Sequence, residues 1–321
     1  MNPRFYVLLA MLSAAALQAG DAPPPPAQVV ALPAEPPAPT EFVRRDALVS
    51  VPVLMEMFKE KSMKLALIDA RAREAYDEGH LPGARNIPSD PLQAPESPPY
   101  YMQSTDELRK IFSAAGIDPD ERVVIYDQDD GRLAARVWFT LHACGHEKVS
   151  ILDGGVDRWR EAKGVWDTQP MGPGAPGTFV PAATLRNVCA FADLAQYRTR
   201  VRTLGKLPPT TLLDARSTAE YMGEEVRGKN GGHIPGAANL EWTSFMSGKE
   251  HERVWRSPQE IHALLRLAGV ERDQKIAVYD QAGGRSAHVF FTLWIMGFDN
   301  ACNYVAGWRE YGNRDDVEIE K

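Results

Sequence analysis

The chain has 321 residues, 44% hydrophobic and 25% charged, which is the balance of a globular protein with room for two domains of ordinary size. A formal net charge of −7 gives no basic footprint for nucleic acid or for an anionic lipid surface, so polyanionic partners are disfavoured. The three cysteines, Cys144, Cys189 and Cys302, include no Cys-x-x-Cys pair; they allow at most one disulfide, indicate neither a zinc nor a thioredoxin-type centre, and no metal or cofactor is expected.

Residues 1–19 combine one basic residue, Arg4, an apolar run over 5–17 and the small-residue ending Gln18-Ala19-Gly20, the pattern of a cleaved secretory signal. The run is shorter than the roughly 20 apolar residues of a spanning helix, so no stable membrane insertion is expected after removal. The expected location is periplasmic or secreted. Residues 20–40 hold eight prolines, from Pro23 to Pro39, and read as an extended spacer. Cys144, ending a helical apolar pattern, and Cys302, opening a short strand, are expected to be buried, inert thiols.

Folded sequence begins near residue 41, and it repeats. Residues 65–88 and 211–240 both carry a strand ending in Asp-Ala-Arg, then an aromatic residue (Tyr76, Tyr221) and a Gly-His-(Leu/Ile)-Pro-Gly-Ala turn. Residues 123–155 likewise parallel 276–307. A repeat spanning about half the chain per copy means a duplicated domain. The first copy occupies 41–164, the Pro- and Gly-rich stretch 165–181 reads as a linker, and the second copy occupies 182–321. Short apolar strands alternate with helical patterns in both, which predicts an α/β fold with a parallel sheet covered on its two faces.

The second copy contains the stretch with the clearest chemistry. Residues 275–279 read as a buried strand and 286–296 as a helix, with the tight loop Asp280-Gln281-Ala282-Gly283-Gly284-Arg285 between them. Its backbone N–H groups and the helix N-terminus converge where an anion could sit. With the Gly307-Trp308-Arg309-Glu310-Tyr311 ending, this segment resembles the active-site region of the tandem rhodanese (thiosulfate sulfurtransferase) family, whose loop reads Cys-x-x-Gly-x-Arg. Gly283 and Arg285 match, while Asp280 stands at the cysteine position. The resemblance implies two tandem rhodanese-like domains, the first being the family's inactive half, whose loop carries Asp127 and Arg132.

The family's cysteine acts as a thiolate that takes up a sulfane sulfur as a persulfide, and a carboxylate cannot do so. Asp280 is expected instead to accept the loop N–H groups itself, as an internal cap worth about 1 kcal/mol. Arg71 and Arg216, each directly after a strand-ending Asp-Ala, are placed either to reach an anion or to form an ion pair that fixes the neighbouring loop. His80 and His233 are expected to be structural. The motif Asp127-x-Asp129 also occurs in aspartyl-phosphatase loops, but Gly131 and Arg132 replace the hydroxyl and apolar residues needed there, and the spacing is not that of a calcium loop. The resulting expectation is a degenerate sulfurtransferase homologue that binds a protein partner or a small sulfur anion. The competing expectation is an active enzyme with another thiol, Cys302 being the candidate.

Overall fold

The apolar runs Val123-Val124-Ile125-Tyr126 and Ile276-Ala277-Val278-Tyr279 are buried along their whole length, as a strand must be when helices cover both faces of its sheet. The computed structural model describes residues 38–60, 62–94, 101–128, 130–169, 176–197, 210–249 and 253–321, so the expected signal and most of the spacer lie outside it. The first half runs β1 (Leu48–Val49), α1 (Val51–Met57), β2 (Leu65–Asp69), α2 (Arg73–Asp77), β3 (Ala84–Asn86), α3 (Thr105–Ala114), β4 (Arg122–Tyr126), α4 (Arg132–Ala143), β5 (Val149–Leu152) and α5 (Gly155–Glu161). Its strands are ordered β1-β5-β4-β2-β3, all parallel.

The second half runs β6 (Thr210–Asp214), α6 (Thr218–Tyr221), β7 (Ala238–Asn239), β8 (Met246–Ser247), β9 (Val254–Trp255), α7 (Pro258–Leu267), β10 (Lys275–Tyr279), α8 (Gly284–Ile295), β11 (Ala301–Tyr304) and α9 (Gly307–Tyr311). Its parallel sheet is ordered β11-β10-β6-β7, and β8 and β9 form a separate antiparallel pair. The α/β architecture with two parallel sheets is therefore as the sequence predicts.

The repeated motifs are structural. Arg71 and Arg216 lie flat against the carboxylates of Asp69 and Asp214 and donate a further bond of 2.7 Å to the carbonyls of Gly79 and Gly232. Tyr76 stacks on His80 and Tyr221 on His233, at 3.9 and 3.6 Å between ring centres. Both copies thus build one scaffold that carries the strand ends at a fixed height.

The halves meet through α4 and α8. Trp138 and Phe139 meet Phe291 and Phe290 edge to face at 4.8 and 5.1 Å, and one apolar core runs through both halves. The segment expected as a linker is built into the first half where it is described. The Val165 carbonyl accepts the Trp159 indole N–H, Asp167 pairs with His80, and Phe179 is buried against Phe112 at 5.0 Å. Among the described residues no helix is long and apolar enough to cross a membrane.

Cys302 corrects an expectation. It is not a free thiol but is bonded to Cys189. Val188 pairs in parallel with Asn303, which brings the two Cα atoms to 5.8 Å, within disulfide reach. Cys144 is the buried inert thiol expected, its pKa pushed up to about 12 by burial. The bond closes a loop with a sequence separation of 113, so the double substitution Cys189→Ala/Cys302→Ala is expected to lose about 2–4 kcal/mol in urea unfolding. The wild-type chain, unfolded without reductant, should titrate one thiol; three would count against the pairing.

Candidate active-site loop and cleft

β10 delivers Asp280 to the start of α8, and the turn between them depends on Gly283. This residue has φ +89°, and a Cβ on it would lie 2.3 Å from the Arg136 guanidinium. The Asp280 carboxylate is buried and turned into the loop. One oxygen accepts the N–H groups of Ala282 (3.2 Å) and Gly283 and the Ser286 hydroxyl (3.0 Å), and the other accepts the Arg285 N–H at 3.0 Å. The convergence of loop donors is as the sequence predicts, and Asp280 itself fills it. From behind, Trp308 and Arg309 at the start of α9 donate to the carbonyls of Asp280 and Gln281 at 2.7 and 2.9 Å.

The Arg285 side chain pairs with Glu220 at 2.5 and 2.9 Å, while its Nε stays 3.6 Å from the Asp280 carboxylate. Glu220 is also the third residue of α6, where it closes a capping box with Ser217. Burial alone would raise the Glu220 pKa, but the hydrogen bonds and charge of Arg285 more than reverse this and bring it down to about 2. Arg285 is raised in turn, its partners outweighing the opposing effect of burial.

Arg216 takes the ion pair with Asp214. It is fully buried, its guanidinium is held by Asp214 and lies 4.3 Å from the Trp308 ring, and it does not line the cleft at the loop. The strand-ending aspartate two residues before it supplies the nearest carboxylate, so the ion pair wins. The same holds for Arg71 and Asp69.

In the first half, the Asp127 carboxylate accepts the N–H groups of Gly131 (3.0 Å) and Ala134 (2.9 Å). The N-cap of α4 is four residues beyond Asp127, whereas that of α8 is three residues beyond Asp280, so the first loop is one residue longer. The β8–β9 hairpin covers it. Arg253 pairs with Asp130 at 3.1 Å, and a Cβ on Gly131 would lie 2.3 Å from the Trp255 indole.

A cleft of about 420 Å³ opens on the second loop. Asp280, Gln281, Ala282, Gly284 and Arg285 line one side, and Arg132, Leu133 and Arg136 of α4 line another, with Asp90, Gln93, Arg227, Trp242 and Arg309 completing the wall. The structure therefore brings Arg132, expected in the first-half loop, to the second-half site, and leaves Asp127 outside it. Arg136 and Arg309 carry the positive charge that the sequence reading did not assign to the site. Arg136 had a legible signal, a charged residue in the middle of the apolar helix sequence Ala134-Ala135-Arg136-Val137-Trp138. Among the described residues no cluster of potential metal ligands exists.

Two parallel α/β domains, each with an aspartate in the strand-to-helix loop, define the class, and sequence comparison gives the family. The Rhodanese-like domain profile matches residues 50–162 and 199–314, and the chain belongs to this family. It is 30% identical over 282 residues to a thiosulfate sulfurtransferase of Azotobacter vinelandii, covering 86% of this chain and 99% of that protein. The sulfur carrier protein TtuD of Thermus thermophilus is 28% identical, over 87% of this chain and 98% of its own length. The crystal structure of YnjE superposes with a TM-score of 0.75 at 20% identity, over 87% of this chain and 69% of the other. At that identity the likeness is one of fold.

The Glu220–Arg285 pair sets a pH dependence. Because the Glu220 pKa falls from 4.5 to about 2 on folding, its stabilisation is complete above pH 4.5 and is lost as the pH falls toward 2. Glu220→Gln is expected to melt below the wild type at neutral pH, with the gap closing between pH 4.5 and 2 in a melting-temperature series. A gap independent of pH would assign the loss to packing and not to charge.

Proposed function

We propose that this chain is a catalytically silent member of the sulfurtransferase family, exported from the cytoplasm, that acts as a binding module. The observation that carries the reading is the Asp280 carboxylate on the loop donors. It stands where the rhodanese pattern Cys-x-x-Gly-x-Arg has its cysteine, and a carboxylate is too hard a nucleophile to take up a sulfane sulfur. The Asp280 carboxylate also occupies the loop donors that a sulfane-sulfur donor would meet there.

No other thiol among the described residues is suited to the task. Cys189 and Cys302 are bonded to each other, which removes Cys302 as a substitute nucleophile, and Cys144 is buried with its thiol pushed up to about 12. The disulfide suits an oxidising compartment and so supports the export reading made from residues 1–19. The names of the relatives from Azotobacter vinelandii and Thermus thermophilus refer to sulfur transfer and sulfur carriage. For this chain the reading keeps the binding cleft and drops the transfer, with a protein or a small sulfur anion as partner.

Purified protein given thiosulfate or mercaptopyruvate with cyanide is expected to form no thiocyanate above the buffer blank; turnover at the rate of a working sulfurtransferase would overturn the reading. Asp280→Cys is expected to gain one sulfur atom from thiosulfate, seen by mass spectrometry and removed by cyanide. Asp127→Cys should gain much less, because Trp255 and the Arg253–Asp130 pair close over that loop. A folded Asp280→Cys whose thiol keeps an ordinary pKa and never gains sulfur would show that the loop is not a persulfide cradle. N-terminal sequencing of exported protein is expected to start near Gly20, and recovery of Met1 would refute the signal.

A further inference from the structure

Both copies set an aromatic residue of their last helix against a phenylalanine, and they finish that pair differently. In the first copy Trp159 of α5 meets Phe58, the C-cap of α1, with ring centres 5.8 Å apart. In the second copy Tyr311 follows Gly307 at the spacing at which Trp159 follows Gly155, and it meets Phe191 at 5.9 Å. Arg314 closes the second pair: its guanidinium lies 3.8 Å from the centre of the Phe191 ring and is held by Asp316 at 2.7 and 2.8 Å. Phe58 has no such cover among the described residues and is 41% exposed.

A groove of about 620 Å³ opens on the uncovered pair. Pro52, Met55, Phe58, Pro82, Trp159 and Val165 line it, with Val165 itself 69% exposed. This is apolar surface in the size range of sites for small organic molecules, and it shares no residue with the cleft at Asp280. The charged groups of the lining are Glu56, Lys59 and Lys163. Lys59 is paired with Glu56 at 2.7 Å, which leaves Lys163 with no carboxylate partner among the described residues.

Lys163 also has an uncommon backbone. It follows the C-cap of α5 at φ +57°, the left-handed position that Gly116, Gly145, Gly269 and Gly297 fill after α3, α4, α7 and α8. A lysine there is strained relative to glycine. The turn is built on the aromatic floor of the groove. The Gly164 N–H donates to the Trp159 carbonyl at 2.9 Å, the Val165 carbonyl accepts the Trp159 indole N–H at 2.9 Å, and a Cβ on Gly164 would lie 2.1 Å from the indole. The Lys163 side chain therefore starts from a fixed point beside the ring pair.

We propose that this groove is a binding site for an amphiphilic monoanion, a medium-length alkyl carboxylate. The alkyl chain covers Phe58, Met55 and Val165, as Arg314 covers Phe191 in the second copy, and the carboxylate meets Lys163. One uncompensated positive charge in the lining selects a single negative head, and the apolar surface beside it disfavours a hydrated inorganic anion.

Calorimetric titration of the full chain, below the micelle threshold of each ligand, compares decanoate with octanoate, decanol, decyltrimethylammonium and acetate. Decanoate is expected to bind with unit stoichiometry, more tightly than octanoate by up to about fourfold per methylene, while acetate gives no heat. It is expected to bind more tightly than decanol or the cation by roughly threefold to fivefold. Lys163→Gly is expected to melt above the wild type without ligand, because it relieves the left-handed backbone, and to bind decanoate no better than decanol. Val165→Asp, at an exposed position, is expected to weaken decanoate by roughly tenfold or more, while Leu267→Asp, 86% exposed on α7, leaves it unchanged. No heat with decanoate, or wild-type affinity in Lys163→Gly or Val165→Asp, would sink the proposal. Decanol or the cation binding as tightly as decanoate would refute the anionic head. A monomer–dimer equilibrium in sedimentation that Val165→Asp abolishes would assign the groove to a second copy of the chain and overturn the ligand. None of these outcomes touches the absence of sulfur transfer, which thiocyanate formation tests separately.

Discussion

The second domain is arranged around a single carboxylate. Asp280 occupies the point where β10 ends and α8 begins, and it answers there several donors that the helix geometry would otherwise leave unpaired. Everything near it is placed with respect to that group. Gly283 turns the chain so that the donors converge, α9 holds the loop carbonyls from behind, and Arg285 lies between Asp280 and Glu220, paired with both. A side chain with no negative charge at this position would leave the donor ring to be satisfied by a ligand. With the carboxylate present, the ring is complete, and Arg132, Arg136 and Arg309 of the cleft lie outside it.

Contact between the halves shapes the cleft. The α4–α8 interface is aromatic and apolar, so a helix of the first domain lies directly against the helix that carries the loop of the second. Arg132 and Arg136 both start on α4 and both face the second-domain cleft. The first domain therefore contributes side chains to the neighbouring site and not to its own loop. That division explains why its loop can be longer by one residue and roofed by the β8–β9 hairpin without loss to the cleft.

Much of this was readable in the sequence because it depends on neighbours close along the chain. The strands followed from short β-branched runs, the paired Asp-Ala-Arg and Gly-His-x-Pro-Gly motifs gave the duplicated scaffold, and the capping role of Asp280 followed from its place between a strand and a helix. Three features were hidden because they depend on register or on contact between domains. The Cys189–Cys302 bond exists only because an edge segment pairs with β11 at Val188 and Asn303, a pairing too short to mark itself by apolar periodicity. The role of Arg216 turned on whether its guanidinium lies back on Asp214 or extends into the cleft, which two residues of spacing leave open. The position of Arg136 against Gly283 crosses 147 residues and an interface, and only its oddity within an apolar helix pointed to it.

The two loops start from the same residue, and their fates differ for reasons unrelated to the aspartate itself. Asp127 and Asp280 both accept N–H groups at the start of a helix that packs at the domain interface. What differs is the covering: Trp255 and Arg253 come from the β8–β9 pair between β7 and α7 of the second domain, and they seal Asp127. The matching segment of the first domain, bridged antiparallel at Gln93 and Met102, instead forms part of the cleft wall beside Asp280 through Asp90 and Gln93. Burying the Arg136 guanidinium with Nε and Nη2 unpaired among the described residues raises the free energy of the folded state. Arg136, which bears that cost, lines the cleft of the second loop, while the first loop is closed by Trp255 and the Arg253–Asp130 pair.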